Sequence, residues 1–305
     1  MTENIKSIFE HNILLLGETD KAVFYFRQQQ YDKGLGIVAN SIDQIKYIVE
    51  AIITDRTYFN LVATESVLEM LAGILEAKKN KDYILLADLL ELQLVSFLCG
   101  VQELIISKEE IQFDEENYKE NIKLLLEKGV GFSERMKEPI DTSSLLESGY
   151  RVEFTSCGLM TLAAENNGFK FYFHTNCHVQ FEAFLLAKSW QREAKKRYIL
   201  YGFGMGYHIS ELQDIEPEAE IEVYEADPNV MQLACAFTDV KKILRKDRIK
   251  VFYDPKLELL KKRITQLTTE EAFLIHYPSL KNIRNTEGRK MLEEMIPWSK
   301  TIESC

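Results

Sequence analysis

Arg197-Tyr198-Ile199-Leu200-Tyr201-Gly202-Phe203-Gly204-Met205-Gly206-Tyr207-His208 decides the fold: a short apolar strand runs straight into three glycines at alternate positions. With no Cβ at Gly202, Gly204 and Gly206, the backbone can turn tightly and come close to a ligand. A helix starting near Tyr207 would aim its free N–H groups and positive dipole end at an anionic group. The next strand, Ala219-Glu220-Ile221-Glu222-Val223-Tyr224-Glu225, ends in a carboxylate where Rossmann-like domains bind ribose hydroxyls. The third glycine comes one residue earlier than G-x-G-x-x-G requires, a form closer to the loop of S-adenosylmethionine (SAM) enzymes than to the dinucleotide fingerprint. Glu225 would repel a 2′-phosphate, which disfavours NADP. The same glycines also suit a tight strand-to-helix turn that binds nothing.

Around this stretch, strand patterns at 198–202, 220–225, 249–253 and 271–276 alternate with helical patterns, Val230–Phe237, Leu257–Leu267 and Arg289–Ile296 among them. Such alternation predicts an α/β, Rossmann-like, mainly parallel sheet with helices on both faces. Ligands bind such sheets beyond the carboxyl ends of the strands. The expected binding residues are therefore Gly202, Gly204, Gly206, Tyr207, Glu225, Asp227 and Asp254, with His276 at the same edge. Upstream, Tyr150–Phe154 and Phe169–Phe173 read as strands of a β-hairpin turning at Asn166-Asn167-Gly168.

Residues 1–136 read as a helical bundle. Val38, Ile42, Ile45, Val49 and Ile52 recur at helical spacing, as do Leu68, Leu71 and Leu75, and again Tyr83, Leu86, Leu90, Leu94, Phe97 and Val101. Tyr118, Ile122 and Leu125 mark a fifth helix capped by Asp114. The expected division is a bundle at 1–136, a linker at 137–147 and the Rossmann-like domain at 148–305.

Among 305 residues, 37 Lys and Arg face 48 Asp and Glu, a net charge of −11 that disfavours nucleic acid and anionic membranes as partners. The N-terminus lacks a basic leader, and no uninterrupted apolar run reads as a membrane span, so the expected location is the cytoplasm. Cys99, Cys157, Cys177, Cys235 and Cys305 stand singly, against a disulfide framework. His174, Cys177 and His178 cross a strand-to-helix junction rather than sharing a helix face, so no metal site is expected there. His208 and His276 are the candidates for acid–base work, because both fall at the ligand edge and an ordinary imidazole titrates near neutrality.

Several blocks carry a family resemblance. Phe173-His174-Thr175-Asn176, Glu182-Ala183, Gly202-Phe203-Gly204-Met205-Gly206-Tyr207-His208, Tyr224-Glu225-Ala226-Asp227-Pro228 and Ile275-His276-Tyr277-Pro278-Ser279 resemble elements of one module. It is the N-terminal Rossmann-like module of bacterial motility accessory factor (Maf) proteins, flagellin glycosyltransferase-like and related to archaeal 6-hydroxymethylpterin pyrophosphokinase MptE-like proteins. Lys81–Leu90 is similar to helical domains found beside such modules. The resemblance implies sugar or diphosphate transfer in a further domain with its own Gly-Pro-Ser loop, whereas this chain stops at Cys305.

The expected function is thus a nucleotide- or nucleoside-binding accessory protein of surface glycosylation, with the bundle meeting a protein partner and a nucleotide-sugar or SAM as ligand. Two alternatives stay open: a SAM-dependent methyltransferase, and a scaffold that binds no small molecule. If the protein is an enzyme, it is a transferase of methyl, glycosyl or diphosphate groups. A pyrophosphokinase would need carboxylates for Mg²⁺, which Glu225, Asp227 and Asp254 would supply.

Overall fold

The computed structural model describes residues 2–62, 64–109, 114–133, 136, 148–166 and 168–301. The expected linker at 137–147, Asn167 of the hairpin turn and Cys305 lie outside them. The chain forms two compact units, one of Met1–Gln112 with Phe154–Leu159 and one of Phe113–Glu153 with Met160–Cys305.

The first unit is helical: α1 (Glu3–Arg27), α2 (Tyr31–Thr54), α3 (Thr64–Lys79), α4 (Tyr83–Leu89), a π-helical segment (Leu90–Leu94) and α5 (Val95–Lys108). Leu86, Leu90, Leu94 and Leu98 are buried at a constant spacing of four. That spacing overruns the 3.6-residue α-turn, and the wider π-turn keeps the leucines on one face. Tyr83–Lys108 runs as 26 helical residues, long and apolar enough by length and composition to cross a membrane, contrary to the sequence expectation. Its inner face is core: Asn12 Nδ2 donates to Leu98 O and to Gln102 Oε1, both at 2.7 Å and both buried. In α3 the buried face is Val67, Met70, Ile74 and Ala77, while the expected Leu68 and Leu75 are 54% and 63% exposed. Two leucines seven apart mark a face without saying which side of the helix is inside.

The second unit carries α6 (Glu115–Lys128), then β1 (Tyr150–Phe154), β2 (Met160–Asn166) and β3 (Phe169–Tyr172) in a three-stranded sheet. After α7 (Val179–Trp190) come β4 (Arg197–Tyr201), α8 (Tyr207–Ile215), β5 (Glu220–Glu225), α9 (Pro228–Phe237), α10 (Lys241–Leu244), β6 (Ile249–Tyr253), α11 (Glu258–Ile264), β7 (Glu271–Ile275), α12 (Tyr277–Asn282) and α13 (Thr286–Thr301). The four strands pair in parallel in the order β6-β5-β4-β7, in the α/β class expected. Successive residues of β4 face opposite sides. Tyr198 and Leu200 join one core cluster, and Ile199 and Tyr201 the other, so both faces are covered. The strand order reverses between β4 and β7, where ligands of such sheets bind.

Two expectations differ from this architecture. The hairpin has a middle strand, β2, paired antiparallel with β3. Helix α6, expected in the bundle, packs in the α/β unit, where Tyr118, Ile122 and Leu125 join the larger core cluster. The cause is Asn121, fully buried among them. Its Nδ2 donates to Cys235 O and Thr238 O, both at 2.9 Å, and its Oδ1 accepts from Lys241 N at 3.0 Å. One amide thereby satisfies the end of α9 and the start of α10.

Asn121→Ala takes the partner from these three backbone groups, of which the Cys235 carbonyl is buried and the other two half-buried. At about 1–3 kcal/mol for an unsatisfied buried group and less where water reaches, the expected loss is about 2–4 kcal/mol in a denaturant titration. A loss under about 1 kcal/mol would show that α6 is dispensable to the α/β unit.

Candidate functional site

The glycine turn is closed from inside. Residues 202–206 are all buried. A Cβ on Gly202 (φ +102°) would run into Ser279, and one on Gly204 (φ +52°) would lie 3.0 Å from His174 Nε2 and 3.1 Å from His276 Cε1. The gaps left by these two glycines are thus bordered by the protein's own Ser279, His174 and His276 side chains. The turn's amides are also engaged: Phe203 N–H donates to Glu225 Oε2 at 2.8 Å, and Met205 N–H points at His174 Nε2 at 3.4 Å.

Glu225 is 2% exposed, and its other oxygen accepts from Ala226 N at 2.9 Å and Asp227 N at 3.0 Å. Burial pushes its carboxyl up to about 7, against these backbone hydrogen bonds, which favour the ionised form. This carboxylate holds the end of β4 to the end of β5 and does not face a ribose. Asp254 is buried too and caps α11, accepting from Glu258 N at 3.0 Å and Leu260 N at 2.8 Å. Tyr207 donates its hydroxyl to Met160 O at 2.8 Å.

Of the expected binding residues, Asp227 lines an open cleft. The cleft holds about 240 Å³ and lies beyond the carboxyl ends of β4, β5 and β6, bordered by Tyr201, Asp227, Asn229, Asn282, Arg284 and Asn285 among others. Asp227 Oδ1 caps α9 through Asn229 N at 2.9 Å. Its Oδ2 accepts from the Tyr150 hydroxyl and, at 3.0 Å, from Asn282 Nδ2. Tyr150, Asn282 and Arg284 went unnoticed in the sequence as site residues because each is a single polar residue, at a strand start, a helix end and in a loop, with no motif around it.

No family model and no curated protein matches this chain. Among solved structures, the crystal structure of MnmC2 from Aquifex aeolicus is similar at 19% identity and a TM-score of 0.24, covering 51% of this chain and 60% of that one. The match thus spans less than two thirds of MnmC2, and the superposition is too loose to carry fold or function across.

On the β4–β7 side of the same edge, His208 and His276 do meet, joined by His174 rather than by a ligand. Their rings stack with centroids 4.2 Å apart and planes at 9°, and the His174 ring lies 5.0 Å from His276 and 5.3 Å from His208. All three are buried. Burial, and then the nearness of the His208 and His174 rings, holds His276 well below its ordinary pKa; burial and His174 do the same to His208. Both are therefore neutral near pH 7, and neither borders the Asp227 cleft. Cys177, by contrast, is exposed at the start of α7.

Gly202→Ala should destabilise by at least about 3 kcal/mol, since overpacking adds to an unfavourable φ. A variant with wild-type stability would mean the turn is not packed as described. A second expectation concerns pH. Depressed histidine pKa values mean that the unfolded chain binds protons the native state excludes, so their contribution is complete above about pH 6.5 and fades as pH falls. Glu225 titrates in the opposite sense between its ordinary range and about 7, so the informative quantity is a difference. Between pH 6 and 5, in EDTA, wild type should lose about 1.4 kcal/mol per pH unit more than His276→Gln, one proton's worth. Equal slopes in urea denaturation would place the His276 proton in both states.

Proposed function

We propose that the α/β unit is a non-catalytic binding module for a small nucleoside- or nucleotide-like ligand, seated in the Asp227 cleft rather than over the glycine turn. The observation that carries this reading is the cleft itself: an open hollow beyond the carboxyl ends of parallel strands, its wall more apolar than polar but carrying a carboxylate, three amide side chains and a guanidinium. Asp227 Oδ1, which accepts one backbone hydrogen bond, keeps a lone pair for a ribose or sugar hydroxyl. Arg284 supplies a planar cation of the kind that suits phosphate. The cleft volume is below that of drug-sized sites, which suits one nucleoside or sugar group and not a dinucleotide.

This reading keeps the Maf-like accessory role as the biological setting, with a nucleotide-sugar as the leading ligand class and SAM as the alternative. We assign the helical unit to a protein partner on the strength of its exposed Leu61, Leu68, Leu75, Ile84 and Leu92.

The test is a thermal-shift panel of CMP- and UDP-sugars, nucleosides, SAM and its demethylated product. A ligand at about a hundred times its Kd should stabilise the fold by about 2.7 kcal/mol, a shift of several degrees. Asp227→Asn should weaken binding by about 1.5–3 kcal/mol, one charged hydrogen bond, and Arg284→Ala should remove selectivity for phosphorylated ligands. A response to SAM and its product alone would favour methyl transfer. No response from wild type across the panel would overturn the reading in favour of a scaffold.

A further inference from the structure

From the arrangement of His174, His208 and His276 at the β4–β7 switch point, we infer a binding site for one divalent transition-metal ion of the zinc, cobalt or nickel class. One ring nitrogen from each residue lies within 4.8 Å of the others. The hydrogen-bond partners place the proton in His208 and His174, and in His276 they allow the tautomer that leaves Nδ1 bare.

His208 Nε2 sits 3.1 Å from Gly202 O. A carbonyl oxygen only accepts, so the proton is on Nε2 and Nδ1 presents a lone pair. That Nδ1 is buried and has no hydrogen-bond partner, a loss that native interiors seldom tolerate. In His174, Nε2 faces the Met205 N–H at 3.4 Å, so it is the bare nitrogen, while Nδ1 lies 3.7 Å from Glu182 Oε2. A histidine whose outer N–H is oriented by a carboxylate or a carbonyl is the usual state of a metal ligand. His276 Nδ1 is 2.8 Å from Ser279 Oγ, and the Phe173 backbone hydrogen-bonds the same ring. With the proton turned to the Phe173 carbonyl, Nδ1 is the third lone pair, and Ser279 gives it up by rotating its hydroxyl. The gap left by Gly204 borders two of these atoms: a Cβ there would lie 3.0 Å from His174 Nε2 and 3.5 Å from His276 Nδ1.

Imidazole nitrogens without thiolates select borderline metals over calcium or magnesium. At Zn–N distances of about 2.0–2.1 Å, tetrahedral ligand atoms stand about 3.3 Å apart. The rings must therefore close in, and the His208–His276 stack must fan open. Binding would tie the segment after β3 to the first turn of α8 and to the residue after β7. None of the three histidines lines the Asp227 cleft, so this site stands or falls independently of the ligand proposal.

The experiment refolds the full chain with Zn²⁺, with Co²⁺ or in EDTA, then desalts it and measures bound metal, melting temperature and the Co²⁺ visible spectrum. The expected result is one equivalent of metal, a higher melting temperature than in EDTA and the intense bands of tetrahedral Co²⁺. His208→Gln should bind at least about a hundredfold more weakly. Glu182→Gln, a change at a half-exposed side chain, should lower affinity about 10–100-fold with the fold intact. Folded wild type holding well under one equivalent would overturn the site. So would metal retained unchanged in both variants, the mark of adventitious binding elsewhere. If His208→Gln fails to fold, wild-type stoichiometry and Glu182→Gln still decide.

Discussion

The α/β unit is organised by one buried carboxylate. Glu225 accepts hydrogen bonds from Phe203, Ala226 and Asp227 amides, joining the turn after β4 to the turn after β5. Without it the Phe203 amide would be an orphan in a dry interior, at about 1–3 kcal/mol. Because the turn is drawn inward, Gly202 and Gly204 lie against Ser279, His276 and His174, which is only possible without side chains at those two positions. The site geometry follows: the nucleotide cradle implied by the glycines is closed, and the open ground shifts to the Asp227 cleft.

The sheet was legible in the sequence because its signal is local. Strands read at 198–202, 220–225, 249–253 and 271–276 fall within a residue of those formed, since both faces are covered and the apolar runs are short, β-branched and bounded by turns. β2 escaped because Met160-Thr-Leu-Ala-Ala-Glu-Asn has little intrinsic strand preference; it is held by its register with β3 and by burial of Leu162 and Ala164. The site was half legible. Placing His276 and the glycine turn at one edge followed from topology alone, and His208 came with the turn. What the sequence does not encode locally is which polar group satisfies which. Glu225 has the position of a ribose ligand and spends its oxygens on backbone amides. His174 reads as the end of a hairpin strand until the tertiary fold sets it beside two other rings.

The carboxyl edge thus has two regions of opposite character. Around Asp227 the polar groups are preorganised beside an open cleft: Tyr150 and Asn282 hold one carboxylate oxygen, and the Asn229 amide donates to the other. Around the histidines they are preorganised and sealed, with the Phe173 ring beside His276, the Trp190 ring beside His208, and Phe203 and Met205 buried in the turn. A single strand-order reversal generates both, because β4 sends its turn toward β5 on one side and meets the β7 loop on the other.

The bonds of Asn121 also bear on synthesis at the ribosome. Its partners Cys235, Thr238 and Lys241 lie 114 to 120 positions downstream. At about 5–20 residues per second, α6 waits roughly 6–24 seconds for them. During that interval Tyr118, Ile122 and Leu125 have no permanent cover. A nascent chain paused before α9 therefore carries an amphipathic segment after a helical unit already translated almost in full, while β4 and β5 still await β6 and β7, a stage at which a chaperone would have exposed apolar surface to hold.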